Sequence, residues 1–102
     1  MGIYLISDQE GKYKIGVSKN PKQRIKSHQT GNGSSLLLLF YIETRIPYKI
    51  ETVLKKHFKN KKTKGEWFIL EENEISEFPG LVKRIEKNLL FIMETSSLKN
   101  PI

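Results

Sequence analysis

Residues 2–18 read GIYLISDQEGKYKIGVS, and the alternation of their side chains decides the architecture. Residues 2–7 and 12–18 are β-rich runs, and Asp8-Gln9-Glu10-Gly11 between them is turn chemistry. The stretch therefore predicts an antiparallel hairpin. In its second strand Tyr13, Ile15 and Val17 share one side, while Lys14, Gly16 and Ser18 share the other. Tyr13 travels with the apolar set and belongs to the core. Lys14 points away from it, beside a glycine that leaves room for a close approach.

Working outward, Asn20 is a good N-cap, Pro21 suits the first helical position and Gln23 can reach back as in a capping box. With Gly31 as a stop, a short helix is expected over 21–30. The leucine- and aromatic-rich run 35–43 reads as a central buried strand. Ile50, Val53, Leu54, His57 and Phe58 recur at helical spacing and mark one face of a second helix over 47–60. The basic loop NKKTKG (60–65) leads to a short strand over 66–70. Pro79-Gly80 precedes a third helix over 81–94, and 95–102 is expected to be a flexible tail. The order β-β-α-β-α-β-α implies a small α+β fold, a mostly antiparallel sheet flanked by helices, in a single domain over 1–94.

The chain has 102 residues, enough for one modest core. Eighteen Lys and Arg against eleven Asp and Glu leave a net charge of +7, with a pI near 9.7. That balance favours a polyanionic partner. Without cysteine, a disulfide framework and a thiolate metal site are both excluded. The longest apolar run, 36–42, is far short of the roughly 20 residues that cross a bilayer. No secretory leader is recognisable. Ile6 occupies the position where an N-myristoylation signal wants Ser or Thr. The expectation is an intracellular, cytoplasmic protein with no membrane partner.

The helix over 21–30 has Ile25 as its one large apolar residue, so Ile25 marks the side packed on the sheet. Arg24 lies one step from it, and His28 stacks four residues beyond Arg24 on the same edge. A helix that turns Arg and His toward a sheet, instead of leucines, either is loosely packed or lines a polar cleft. Glu51 is the one acidic residue in the body of the second helix, at the margin of its apolar stripe. A carboxylate so placed can hold a hard cation such as Mg²⁺, or pair with Lys55 at i,i+4 as surface residues commonly do.

Gly2-Ile3-Tyr4, Lys14-Ile15-Gly16, Arg24, His28, Glu51 and Gly65-Glu66-Trp67-Phe68, in that order and spacing, resemble the GIY-YIG nuclease superfamily. Within it they are similar to a compact phage and bacterial branch with a GEWF strand. The resemblance covers about residues 1–70. Tyr4 matches the first family tyrosine. Arg24 follows Lys14 by ten residues, the family's interval from its second tyrosine, so Lys14 stands where that tyrosine would be. An ammonium cannot accept a hydrogen bond as a phenol does. The resemblance implies a metal-dependent endonuclease acting on DNA by a one-metal mechanism. Glu51 would hold Mg²⁺ or Mn²⁺, and Tyr4 would orient and deprotonate the attacking water. Lys14 is a cation placed to support an anionic phenolate. Arg24 would bind non-bridging phosphate oxygens with its planar fork, and His28 would contact the phosphate or relay a proton.

The substrate surface is expected from Lys22, Lys26, Lys55, Lys59 and Lys62, joined by Lys56, Lys61 and Lys64. Each phosphate they neutralise on duplex DNA steepens the log–log salt dependence by about 0.9. Trp67 and Phe68 read as core, His57 as structural, Glu66 as a runner-up second acid, and Glu74 and Glu77 as helix-start charges. The partner implied is double-stranded DNA, and specificity must come from a homodimer, a partner protein or DNA structure. A catalytically inactive nucleic-acid-binding module on the same fold is the alternative, motivated by the missing second tyrosine.

Overall fold

A computed structural model of the chain describes the backbone of residues 1–29 and 35–99 and the side chains of 1–26 and 35–95. The hairpin expected at the start is present. Strands β1 (Gly2–Ser7) and β2 (Lys12–Ser18) pair antiparallel from Gly2↔Ser18 to Ser7↔Tyr13. Asp8 Oδ1 accepts the backbone N–H groups of Glu10 (2.8 Å) and Lys12 (2.9 Å), and Gly11 takes a φ of 93° that suits a residue without Cβ. Helix α1 (Pro21–Gln29) follows, with Asn20 Oδ1 accepting from the backbone N–H of Gln23. Gly31, expected as its stop, lies outside the described residues.

Strand β3 (Leu37–Glu43) pairs with β1, and the sheet order is β3-β1-β2-β4, antiparallel throughout. β3 is thus an edge strand, not the central one its composition suggested. β1 is central, and all six of its residues are buried. The reason is a register shift between Leu5 and Ile6, which leaves Leu39 without an opposite number. Leu39, Phe40 and Ile42 pack on one side of the sheet, and Leu38 and Tyr41 on the other. Both faces of the edge are covered, so its sequence reads as though it were interior.

Helix α2 (Pro47–His57) starts with Pro47 in its first turn and buries Ile50 and Leu54. It ends at Phe58, earlier than expected, and continues as a 3₁₀ turn (Lys59–Lys61). His57 is exposed, its ring edge-on to Phe58 at 4.7 Å, so it is no part of the buried stripe. Of β2, strand β4 (Trp67–Ile69) pairs with Lys12 to Lys14 alone, and its Phe68 also bridges to Lys62. A short helix not anticipated, α3 (Glu72–Ser76), begins with a capping box between Glu71 and Glu74. Helix α4 (Phe78–Lys99) starts before and ends after the expected 81–94. Pro79 sits in its first turn, where a missing N–H has no intrahelical partner to lose. The helix therefore also takes in 95–99 of the expected tail.

The main core lies between the sheet and α2 and α4, from Ile3, Leu5 and Ile15 to Ile50, Leu54, Phe78 and Val82. A smaller cluster on the opposite face holds Tyr4, Ile6 and Leu36, with Ile25 of α1 packed against it. Tyr13 packs on the main core, as the strand alternation required. The architecture is a small α+β fold with a four-stranded antiparallel sheet. Among the described residues no helix is long and apolar enough to cross a membrane.

Candidate active site

Because β4 is short, β2 has no sheet partner on that side from Ile15 onward among the described residues. At this open margin α2 comes over the sheet from one face, while α1, which packs toward β3 on the other, contributes Arg24. The result is a cleft of about 380 Å³ lined by Tyr4 of β1, Lys14 to Ser18 of β2, Arg24 of α1 and Tyr48, Glu51 and Lys55 of α2, with Glu66 just before β4.

Each side chain is placed by an identifiable local feature. Tyr4 sits opposite Gly16 in the β1–β2 register, and its ring is buried to 2% exposure. A Cβ at position 16 would collide with the Tyr4 phenol, so the glycine beside Lys14 makes room for Tyr4 itself. A second glycine–tyrosine contact lies nearby: a Cβ on Gly2 would come within 2.9 Å of Tyr41 Cζ. The Tyr41 hydroxyl donates to the Ser18 carbonyl at 2.8 Å, fixing the end of β2 that lines the cleft. Burial, and then the Glu43 carboxylate, raise the Tyr41 pKa above the ordinary phenol value and keep it a donor.

Lys14 is held on two sides. Its Nζ lies 3.5 Å from Glu66 Oε2 and 5.8 Å from the centre of the Trp67 ring. Glu51 is largely covered, and its Oε2 lies 3.4 Å from Lys55 Nζ one helical turn on. The ordinary i,i+4 pair is therefore made, and the carboxylate still faces the cleft. Lys14, then Lys55, pull the Glu66 carboxyl below the usual carboxylate range, with a smaller contribution from Lys62. Two carboxylates and three cations (Lys14, Arg24 and Lys55) thus share one small space.

Four of the five residues singled out from sequence meet here: Tyr4, Lys14, Arg24 and Glu51. His28 is on α1, one turn beyond Arg24, and its side chain lies outside those described. Arg24 is exposed and also borders a shallower hollow with Lys19, Asn20 and Gln23. Of the expected phosphate-binding lysines, Lys55 lines the cleft, and Lys55, Lys56, Lys59 and Lys62 line a second cavity beside it. Lys22 and Lys26 are exposed on α1, outside both cavities. Lys61 is turned away to Glu71 and Glu74.

Tyr48 was not anticipated. It is 62% exposed and lines the cleft one helical turn before Glu51. Its i,i+3 spacing to Glu51 was the available signal. Phe68 is core, as expected, and Trp67 is half-buried.

Fold and cleft together define a small α+β domain with a charged site at an open sheet edge. The chain matches the T5orf172 domain over residues 1–86, a span that takes in all four strands and every residue of the cleft. It belongs to that family. Neither the curated proteins nor the solved structures gave a match.

Proposed function

We propose that this protein is a metal-dependent endonuclease of the GIY-YIG type that hydrolyses phosphodiester bonds in DNA. The observation that carries the reading is the meeting of Tyr4, Lys14, Arg24 and Glu51, from four separate elements, in one cleft. The T5orf172 domain is nuclease-like, which supports a nucleic-acid substrate. The +7 charge of the chain supports it as well.

The donor set can be tested against the proposed metal. Among the described residues no three or more His, Cys, Asp or Glu side chains come together. The two carboxylates that do face the cleft, Glu51 and Glu66, suit Mg²⁺ or Mn²⁺, because Mg²⁺ takes one or two carboxylates, keeps several waters and completes its shell with substrate phosphate. Glu51 is the residue that would hold it. Held there, it would supply neutralisation of phosphate charge and stabilisation of the departing oxygen.

The remaining roles fall to the chain's own groups. Arg24, at the cleft rim, presents a planar fork to two non-bridging oxygens of the scissile phosphate. Tyr4 orients the attacking water and takes its proton as that oxygen bonds to phosphorus. The P–O3′ bond breaks and the departing O3′ takes a proton from solvent water, leaving a 5′-phosphate on one fragment and a 3′-hydroxyl on the other. Lys14, fixed by Glu66 and Trp67, supplies positive charge beside the phosphate. His28 either contacts the phosphate or relays a proton.

One observation favours the binding-module alternative: Lys14 is already engaged by Glu66 and offers no phenol. A cleavage panel separates the two readings, using supercoiled plasmid, linear, branched and single-stranded DNA with and without Mg²⁺. Nicking that requires the metal is the expected result. Retention of DNA without cleavage of any substrate would establish the inactive module instead.

A further inference from the structure

The second cavity, of about 390 Å³, lies beside the cleft and shares Lys55 and Glu66 with it, so the two are compartments of one groove. Its rim carries Lys55 and Lys56 from the last turn of α2, Lys59 from the 3₁₀ turn, and Lys62. Phe68 contributes to its floor. The lysines are carried on fixed backbone. Lys62 bridges to Phe68, and the Thr63 N–H donates to the Trp67 carbonyl at 2.8 Å.

The ion pairs divide these lysines into two sets. Lys61, which faces away, lies 3.4 Å from Glu74 and 3.8 Å from Glu71. Lys56, Lys59 and Lys62, which face the cavity, make no ion pair among the described residues. Glu66, at the divide between the compartments, has its carboxyl held below the usual carboxylate range by Lys14 first, then Lys55, with Lys62 contributing least.

A cationic rim over an apolar floor suits a ligand with one charged and one apolar part. Lysine stems bury their methylenes along apolar surface while their heads stay solvated. The cavity volume lies in the range of about 300–1,000 Å³ typical of small-ligand sites, and it opens toward the place proposed for the scissile phosphate. Resting on the nuclease reading, we infer that this compartment receives the nucleotide next to the cut, its phosphate against Lys56, Lys59 and Lys62 and its sugar and base along the lysine stems, above the buried Phe68. A nucleotide stacked in a duplex cannot enter. The groove therefore favours a strand that is single or opened beside the cut.

The test is run on the full chain without divalent metal, so it needs no turnover. Two readouts are taken: amide shifts on adding a 5′-phosphorylated thymidine dinucleotide, and the salt dependence of binding a single-stranded oligonucleotide. The dinucleotide should shift Lys56, Lys59, Lys62 and Phe68, while inorganic phosphate at the same concentration leaves Phe68 in place. The double variant Lys59→Ala/Lys62→Ala should flatten the log–log salt slope by about 0.7 per lost contact. Lys83→Ala/Lys87→Ala, which removes the same charge from exposed positions of α4, should leave it unchanged. Equal slopes for the two doubles, or dinucleotide shifts confined to the cleft of Tyr4 and Arg24, would overturn the inference. Its failure is distinct from failure of the nuclease reading, which is decided by Mg²⁺-dependent nicking.

Discussion

Among the described residues, the apolar layer between the sheet and α2 and α4 holds eleven buried side chains, whereas the cluster on the α1 face holds three, with Ile25 packed against it. The first face supplies most of the stabilising burial. The second carries a helix lightly enough that its remaining side chains can be cationic. Where the two faces meet, at the uncovered margin of β2, Glu51 from one layer and Tyr4 and Arg24 from the other line the same cleft. Most of the burial therefore lies on one side of the sheet, while the cleft draws its residues from both, and substitutions should separate packing from the proposed chemistry.

The largest expected effect on stability is on the α2 face. Leu54 is fully buried, and Leu54→Ala should cost about 2–5 kcal/mol. Ile25→Ala, at a half-buried position, should cost about 1 kcal/mol by its smaller buried area. Urea denaturation measures both, and equal losses would contradict the division. Arg24→Lys tests the other half of the comparison. It keeps the charge and loses the fork, so turnover should fall about 10²-fold, as when other fixed donors to developing negative charge are lost. The denaturation midpoint should not move, and unchanged turnover would exclude fork-type recognition.

Gly16→Ala should lower both stability and cleavage, because its Cβ meets the Tyr4 phenol on the α1 side of a tightly packed sheet. Overpacking of this kind costs about 1–3 kcal/mol. Gly80→Ala in the first turn of α4 meets open space and should be neutral or slightly stabilising. A neutral Gly16→Ala would show that Tyr4 is free to move.

The smallest effect concerns Glu66. Lys14 holds its carboxyl below the normal range, so the pair's contribution is present above the unfolded pKa of about 4.3 and is lost as pH falls through the lower folded value. Wild type and Glu66→Gln should thus differ slightly in Tm at neutral pH and converge in acid. The difference stays small because the glutamate is mostly solvated. A gap that persists below both pKa values would contradict the assignment.

What the sequence disclosed follows from the range of the interactions involved. The hairpin was legible because Asp8 and Gly11 specify their turn locally, and strand alternation alone separated Tyr13 from Lys14. The edge position of β3 was not legible, since a register shift lets leucines and aromatics face both covered sides. α3 was missed because Glu71 and Glu74 cap each other, an uncommon use of two like charges that reads as surface decoration. In the site, the resemblance to the GIY-YIG pattern brought Tyr4, Lys14, Arg24 and Glu51 into one hypothesis. The pairing of Lys14 with Glu66 depends on β2 meeting β4 across more than fifty residues of chain, which no local pattern encodes.

The most direct measurement compares Glu51→Ala with wild type on supercoiled plasmid at saturating Mg²⁺, with DNA retention followed in the same samples. The cleft geometry leads to cleavage falling to the level of the metal-free control while retention stays that of the wild type. Cleavage by Glu51→Ala equal to wild type would show that the Glu51 carboxylate is not the metal-binding group and that the cleft is not where the chemistry occurs.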